Sequence, residues 1–213
     1  ISIVIGYLDL LKREDVTDEE KNEFIRRVEN EINRINTIIR QLLDFSRSSD
    51  GALKMVSVHE IIHDIIRMIK FQPLMSDIEV EISLCAEKDK VVSDPERLRQ
   101  VFLNLVINAA DAIASVEDQT KGKLTITSEV VSDPEFTDRP PMLKLSFEDN
   151  GCGISKENVG NIFDPFYTTK DPGKGTGLGL SVSFTIIESA GGKINASSDP
   201  DKGTIMTIYL PLC

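Results

Sequence analysis

The hydrophobic pattern of the chain changes its period near residue 50, and this change constrains the fold more than any other feature. Before it, apolar residues recur every three or four positions, which is typical of amphipathic helices. After it, alternating segments such as IEVEISL, typical of strands, are mixed with helical ones. The polar segment SSDGAL, residues 48–53, separates the two patterns. We therefore expect two domains, residues 1–50 and residues 51–213.

The first domain is predicted to be a helical hairpin. The charged segment KREDVTDEE joins its two helices, and Thr17 and Glu20 have the spacing of a capping box that opens the second one. Two helices of unequal length cannot bury such apolar stripes alone. We expect residues 1–47 to pair with a second copy as a four-helix bundle, a homodimer. The chain begins in an apolar helical pattern without Met, so we expect a fragment whose first helix is truncated.

The second domain is predicted to belong to the α+β class, as an α/β sandwich with one mixed sheet covered by helices. The predicted elements are a short strand running into a helix in VSVHEIIHDIIRMIKF, the strands IEVEISL, LTITSEVV and MLKLSFED, helices over 95–114 and 177–190, and a final hairpin of KINASS and TIMTIYLP. In the helix over 95–114, the predicted buried face is formed by Leu98, Val101, Leu105 and Ala109.

Composition excludes several classes of protein. A net charge of -11 argues against a nucleic-acid surface, which needs clustered Lys and Arg. No segment has the roughly twenty uninterrupted apolar residues of a membrane helix, and the three cysteines lack metal-ligand spacing. We expect a cytoplasmic protein that contacts neither nucleic acid nor membrane through these residues.

Asn104 and Asn108 lie four residues apart on one face of a predicted helix. Their carboxamide oxygens can bind a hard cation such as Mg²⁺, which commonly takes only one or two protein ligands besides phosphate and water. Either asparagine alone is more simply explained by a hydrogen bond to nearby backbone. Together with the motifs below, nucleotide binding is the favoured interpretation.

The segment FEDNGCGI places Asp149 at the end of a predicted strand, followed by Gly151 and Gly153. An ionised carboxylate only accepts hydrogen bonds, so it can bind the exocyclic amine of adenine, and the glycines let a flat ligand approach the backbone. On its own, this segment is equally compatible with an ordinary turn.

The segment IFDPFYTTKDPGKGTGLGLS combines an apolar start, a polar glycine-rich middle and a helix start. Its middle is too polar to pack, which indicates a mobile lid. Backbone N–H groups at the helix start can face a polyphosphate, although a merely flexible loop is an equal alternative. The segment is neither a Walker loop nor a dinucleotide fingerprint.

The order and spacing of these motifs resemble the histidine kinases, within the superfamily that includes DNA gyrase, mismatch-repair ATPases and a class of heat-shock chaperones. FDPFYTTK followed by GKGTGLGLSVS is particularly similar to nitrogen-regulation-type sensor kinases. The resemblance implies binding of ATP and Mg²⁺, transfer of the γ-phosphate to a histidine, and onward transfer to an aspartate of a response-regulator receiver domain.

The resemblance also implies a role for each motif residue. Asn104 would act catalytically near the phosphates, Asn108 would bind Mg²⁺, and Asp149 would bind adenine with Gly151 and Gly153. Lid and triphosphate contacts are implied for Phe163, Phe166, Lys170, Lys174, Gly175, Gly177, Leu178 and Gly179, and a weaker adenine contact for Thr207. Hydrolysing relatives generally have a glutamate base where Asn104 stands. An amide cannot take that proton, which favours phosphoryl transfer over hydrolysis.

The accepting histidine of the family lies in a segment like H-E-x-x-N-P on the first hairpin helix. The two histidines of this sequence, His59 and His63, both follow the domain boundary. No third ligand accompanies them, so structural roles are expected. We therefore expect a chain that binds Mg-ATP without phosphorylating itself.

Three alternatives remain open from the sequence. The first is an ATPase or topoisomerase-like machine, and the second is a serine kinase that acts on an anti-sigma partner. The third is a degenerate module that dimerises and holds a regulator without nucleotide. Asn104 and the hairpin count against the first, the hairpin against the second, and the intact motifs against the third.

Overall fold

The computed structural model describes residues 10, 11, 17, 20, 21, 23–28, 52–116, 121–132, 141–170 and 175–213. The chain divides into two compact units. One consists of Ile1–Asp50 and Thr168–Thr176, and the other of Gly51–Tyr167 and Gly177–Cys213. We call the second one the sheet unit.

The first unit begins a helix where the capping box was predicted. The N–H of Glu20 donates to Thr17 Oγ1 at 3.3 Å, and the N–H of Thr17 donates to Glu20 Oε2 at 2.9 Å. Residues 20, 21 and 23–28 are helical. The capping-box prediction is therefore confirmed, whereas most of the predicted hairpin and its apolar stripes lie outside the described residues.

The sheet unit contains seven described strands and four described α-helices. In chain order they are β1 (Lys54–Ser57), α1 (Val58–Ile69), β2 (Ile78–Leu84), β3 (Lys90–Ser93), α2 (Pro95–Ala114), β4 (Gly122–Val131), β5 (Met142–Asp149), α3 (Lys156–Val159), α4 (Gly179–Ser189), β6 (Lys193–Asp199) and β7 (Gly203–Pro211). Five strands form one sheet in the order β2-β4-β5-β7-β6, and β1 and β3 form a small second sheet. In the large sheet, β2 and β4 are parallel and the other neighbours are antiparallel.

The core lies between one face of the large sheet and the helices α1, α2 and α4. Buried and more exposed residues alternate along β4, β5 and β7, which places one side of each strand against the helices. The rings of Phe102 on α2 and Phe147 on β5 stack at 5.8 Å between centroids. The predicted α/β sandwich with one mixed sheet is confirmed, as is the buried stripe of α2, formed by Leu98, Val101, Leu105 and Ala109. None of the described helices is long and apolar enough to cross a membrane.

The start of α2 follows directly from its sequence. Asp94 caps the helix by accepting the N–H of Glu96 at 2.9 Å, and Pro95 occupies the first turn, where its missing N–H costs nothing. The short strand β3 was not predicted. It has only four residues and pairs with β1, so that Met55 faces Val92 from 37 positions away in the chain. A pairing of that kind leaves no local pattern to recognise.

Candidate functional site

Asp149 stands at the end of β5, where the strand leaves the sheet, and is buried. Its Oδ1 accepts the N–H of Gly151 at 2.9 Å and the N–H of Thr204 on β7 at 3.3 Å. The N–H of Cys152 donates to the carbonyl of Ala112 on α2 at 3.2 Å, which ties the loop to the helix. We call Asp149, Gly151 and Thr204 the carboxylate end of the site. Its geometry is fixed by backbone donors.

Burial raises the pKa of Asp149, and the N–H groups of Gly151 and Thr204 oppose that rise by binding the ionised form. Within the described part of the chain, both bonds go to Oδ1. The second oxygen, Oδ2, is therefore the acceptor that this end can offer to a ligand donor such as an exocyclic amine.

Asn104 and Asn108 lie on successive turns of α2 and are both half-buried. Asn108 Nδ2 donates to Asn104 Oδ1 at 3.4 Å, and Asn104 Nδ2 donates to Ser183 Oγ on α4 at 3.0 Å. These bonds join the two side chains to each other and to α4. We call Asn104, Asn108, Gly179 and Ser183 the amide end of the site.

Two glycines bring the start of α4 close to its neighbours. Gly177 has a φ of 67°, and its carbonyl accepts the N–H of Phe166 at 2.9 Å. A Cβ there would overlap the backbone of Phe166, so both the conformation and the space require glycine. At Gly179, the first residue of α4, a Cβ would overlap Asn104 Oδ1. Because Gly179 has no side chain, α4 can begin in contact with Asn104. Leu178, between the two glycines, is buried.

The two phenylalanines differ in their surroundings. Phe163 packs against the core and lies 5.5 Å from Phe184 of α4 between ring centroids. Phe166 is 65% exposed and has a φ of 68°, a strained conformation for an aromatic residue. Phe163 thus packs this segment against the core, whereas Phe166 lies just before the chain leaves the sheet unit at Tyr167.

Other predicted residues have a different placement. Lys170 and Gly175 belong to the first unit, where the N–H of Lys170 donates to Thr168 Oγ1 at 3.2 Å. Lys174 lies outside the described residues. Gly153 follows Cys152 in the loop after β5. The carbonyl of Cys152 accepts the N–H of Asp201 at 2.9 Å, so this loop also contacts the turn between β6 and β7.

Thr207 is not placed at the carboxylate end. On β7, residues 204, 206, 208 and 210 are buried and face the helices, whereas Thr207 points to the other face and pairs with Ser146. Thr204 is the register partner of Asp149. The register between β5 and β7 therefore favours Thr204 over Thr207 as the threonine beside Asp149.

The histidines lie elsewhere in the sheet unit. His59 is half-buried, with Nε2 at 2.9 Å from Ser128 Oγ and Nδ1 at 3.8 Å from Asp89 Oδ2. His63 is exposed on α1. The described part of the chain has no group of three His, Cys, Asp or Glu residues that could hold a metal. The amide oxygens of the asparagine pair do fit a hard cation that takes its other ligands from phosphate and water.

Two family models match the chain. Residues 1–51 match the His Kinase A (phospho-acceptor) domain, and residues 93–213 match the histidine kinase-, DNA gyrase B- and HSP90-like ATPases. The chain belongs to this ATPase family. The predicted resemblance to sensor histidine kinases is confirmed by similar proteins of that class.

AtoS, a signal transduction histidine-protein kinase of Escherichia coli (strain K12), is 34% identical over 212 residues, which are 100% of this chain and 32% of AtoS. The sensor kinase CckA of Brucella abortus (strain 2308) is 32% identical over 99% of this chain and 22% of its own length. The chain thus spans a third or less of these two relatives.

Solved structures show the same architecture. The catalytic domain of the histidine kinase ThkA superimposes with a TM-score of 0.60 and 30% identity, over 75% of this chain and 95% of that domain. ThkA in complex with the response regulator protein TrrA gives a TM-score of 0.72 at 26% identity, over 100% of this chain and 57% of ThkA.

Proposed function

We propose that this chain is the ATP-binding part of a sensor histidine kinase, which binds Mg-ATP for transfer of the γ-phosphate to a histidine and then to a response-regulator aspartate. The observation that carries the proposal is that both ends of the site meet the helix α2 in the sheet unit. A buried carboxylate, Asp149, lies at one end, and the pair Asn104 and Asn108 lies at the start of a glycine-led helix at the other.

The carboxylate end would bind adenine. Asp149 Oδ2 accepts the exocyclic amine, while Gly151 and Gly153 let the loop lie against Ala112 and Asp199, whose backbone atoms a Cβ would overlap. Thr204 joins this group in place of Thr207, since its N–H already binds the same carboxylate at 3.3 Å. Desolvation of the carboxylate makes a missing donor costly, and this selects for a base that carries an amine.

The amide end would bind the phosphates and Mg²⁺. Asn108 supplies an amide oxygen to the cation, and Asn104 lies next to the phosphates. N–H groups at the start of α4, around Gly177, Leu178 and Gly179, favour negative charge. Lys170, Lys174 and Gly175 would contribute from the lid, which Phe163 and Phe166 would anchor.

Asn104 favours phosphoryl transfer rather than hydrolysis. A carboxamide cannot act as a general base toward water, so no proton acceptor stands at that position. Catalysis then consists of holding the phosphate in line and stabilising its charge.

Residues 1–50 would be the dimerisation and phosphotransfer hairpin, and residues 51–213 the catalytic domain. The match to the phospho-acceptor model supports the hairpin, and the ThkA–TrrA complex supports a response regulator as partner. The segment 1–51 contains no histidine. We therefore propose that these 213 residues bind Mg-ATP without autophosphorylation, that residues 1–47 mediate a homodimer, and that the protein works in the cytoplasm without nucleic-acid or membrane contact through this segment.

An isosteric substitution tests the adenine site. Asp149→Asn keeps an oxygen for Gly151 and Thr204 but places an NH₂ group against the adenine amine. We expect binding of a non-hydrolysable ATP analogue with Mg²⁺, measured by calorimetric titration, to weaken about 100-fold, the cost of losing a hydrogen bond to a charged group.

The matched control is Glu148→Gln, one residue earlier on the exposed face of β5. This variant should bind as the unmodified chain does. If the unmodified chain binds no nucleotide, the proposal is wrong, and a protein-interaction module becomes the better interpretation.

A further inference from the structure

Ser198 is a half-buried serine on β6 that belongs to none of the sequence motifs. Ser198 Oγ accepts the N–H of Ile154 at 2.8 Å and donates to the carbonyl of Gly203 at 2.8 Å. It also lies 3.0 Å from Thr204 Oγ1. Ile154 lies in the loop after β5, and Gly203 and Thr204 begin β7. One hydroxyl therefore joins the loop of the carboxylate end to the β6–β7 hairpin.

These three contacts determine where the hydrogen of each hydroxyl lies. A backbone N–H can only donate and a carbonyl can only accept, so Ser198 gives its single hydrogen to Gly203. Toward Thr204, Ser198 can then only accept, and Thr204 must donate its own hydrogen to Ser198. The oxygen of Thr204 therefore has only lone pairs to offer to any other group.

Thr204 stands beside Asp149 on the face of the sheet that the helices cover. The two residues are register partners on β7 and β5, and both are buried. Side chains of directly opposed residues on antiparallel strands are close neighbours, with Cβ atoms about 5 Å apart. The carboxylate end thus contains two side-chain acceptors, the carboxylate of Asp149 and a hydroxyl oxygen whose hydrogen points toward β6.

We propose that Ser198 is a positioning residue that keeps the Thr204 hydroxyl an acceptor, so that the carboxylate end selects a base with an amine over one with a keto group. The inference rests on the proposed Mg-ATP function. The exocyclic amine of adenine has two hydrogens to donate, whereas the keto oxygen of hypoxanthine at the same position would meet only lone pairs. Without Ser198, Thr204 can turn its hydrogen toward that keto oxygen and reduce the penalty.

The test compares non-hydrolysable analogues of ATP and ITP, which carry these two bases, by calorimetric titration of the 213-residue chain with Mg²⁺. The unmodified chain should prefer the ATP analogue. In Ser198→Ala, we expect that preference to shrink about tenfold, the effect of one hydrogen bond. Ser198→Thr keeps a hydroxyl at this position and should restore the preference.

Ser197→Ala is the matched control, because it removes the same atom from the preceding residue of β6, whose side chain is exposed. It should leave the preference unchanged. A second comparison tests whether Ser198 acts through the threonine hydroxyl. In a Thr204→Val background, Ser198→Ala should change the preference by less than about twofold, since no hydroxyl remains to turn.

Three outcomes would overturn the inference. The first is an unchanged preference in Ser198→Ala, and the second is an equal loss of affinity for both analogues, which indicates that the serine only holds the loop. The third is a change of preference that persists in full in the Thr204→Val background. If the alanine variant does not fold by circular dichroism, Ser198→Cys gives the same comparison, because a thiol is of similar size but is a weak acceptor.

Failure of the proposed function gives a different result. In that case, the unmodified chain binds neither analogue. If the unmodified chain prefers the ATP analogue and every Ser198 variant keeps that preference, only the role of Ser198 is overturned.

Discussion

The two ends of the candidate site are held together by different kinds of bonds. At the carboxylate end, backbone N–H groups of Gly151 and Thr204 hold Asp149, and the pairing of β5 with β7 sets their positions. At the amide end, side chains hold side chains, in a relay from Asn108 through Asn104 to Ser183 that joins two helices.

This difference determines which changes each end can tolerate. Backbone donors persist when neighbouring side chains are replaced, so the carboxylate end should depend mainly on Asp149 itself. A side-chain relay fails when any one member is moved. We therefore expect the amide end to respond to small changes in packing that leave the fold intact.

Among changes that test the contrast between the two ends, the largest effect should come from adding a methyl group to the amide end. In Gly179→Ala the new Cβ overlaps Asn104 Oδ1 and forces that carboxamide to move. Alanine also favours a helix by about 1 kcal/mol relative to glycine, so thermal stability should not fall in proportion. We expect affinity for the Mg-bound ATP analogue to fall about 30-fold, or about 2 kcal/mol, by calorimetric titration.

Gly160→Ala is the control for that variant. Gly160 has a φ of -67°, and a Cβ there would meet no atom within 4 Å. Its affinity should remain within about twofold of the unmodified chain. If Gly179→Ala binds the Mg-bound ATP analogue normally, the amide end tolerates an added methyl group. The predicted difference in tolerance between the two ends would then be wrong.

A smaller difference in nucleotide affinity should distinguish variants of the two β7 threonines, Thr204 and Thr207. Thr204→Val removes a hydroxyl that lies 3.0 Å from Ser198 Oγ but keeps the N–H that binds Asp149. Because that backbone donor remains, we expect nucleotide affinity to fall only about three- to tenfold. Thr207→Val, on the opposite face of the same strand, should leave affinity unchanged. A larger loss in the Thr207 variant would contradict the assignment of Thr204 to this end.

The sequence was sufficient for the parts of the fold that have a local signal. Alternation in IEVEISL and MLKLSFED predicted β2 and β5, and the proline and apolar stripe of α2 predicted that helix from Pro95 to Ala114. The order of the motifs predicted that Asn104, Asn108 and Asp149 belong to one domain, and all three lie in the sheet unit. These features are local because period and capping depend on residues within a few positions.

What the sequence did not predict depends on contacts between distant segments. The choice of Thr204 requires the register of β7 on β5, which joins residues 55 positions apart. Ser183 meets Asn104 from 79 positions away, and a serine inside a helix has no local mark of that contact. Long-range register and packing are set by the whole core, so a single sequence does not reveal them.

The smallest effect should be a dependence on pH that only the carboxylate end shows. Burial raises the pKa of Asp149, so its carboxyl takes up a proton at a higher pH than an ordinary aspartate does. A protonated carboxyl no longer offers the charged acceptor. Binding of adenosine, which has no phosphate to titrate, should weaken as the pH falls through that pKa, by about twofold when half of the carboxyls are protonated.

Stability should move in the opposite direction over the same range of pH. A folded-state pKa above the unfolded value adds stability at low pH, and this stability is lost as the pH rises through the folded pKa. His59 acts with the opposite sign at higher pH, because burial lowers its pKa more than nearby Asp89 raises it. Its stabilising contribution is lost as the pH falls below the usual range for histidine. Adenosine affinity, rather than melting temperature, is therefore the measurement that isolates Asp149.

Glu148→Gln sharpens this last measurement. The charge of Glu148 is a lesser cause of the raised pKa of Asp149, so its removal should move the binding profile slightly toward lower pH without changing affinity at neutral pH. A profile that does not move, or a loss of binding centred near the pKa of an exposed aspartate, would mean that the carboxylate end is more hydrated than its burial indicates. The rigidity attributed to its backbone donors would then need another explanation.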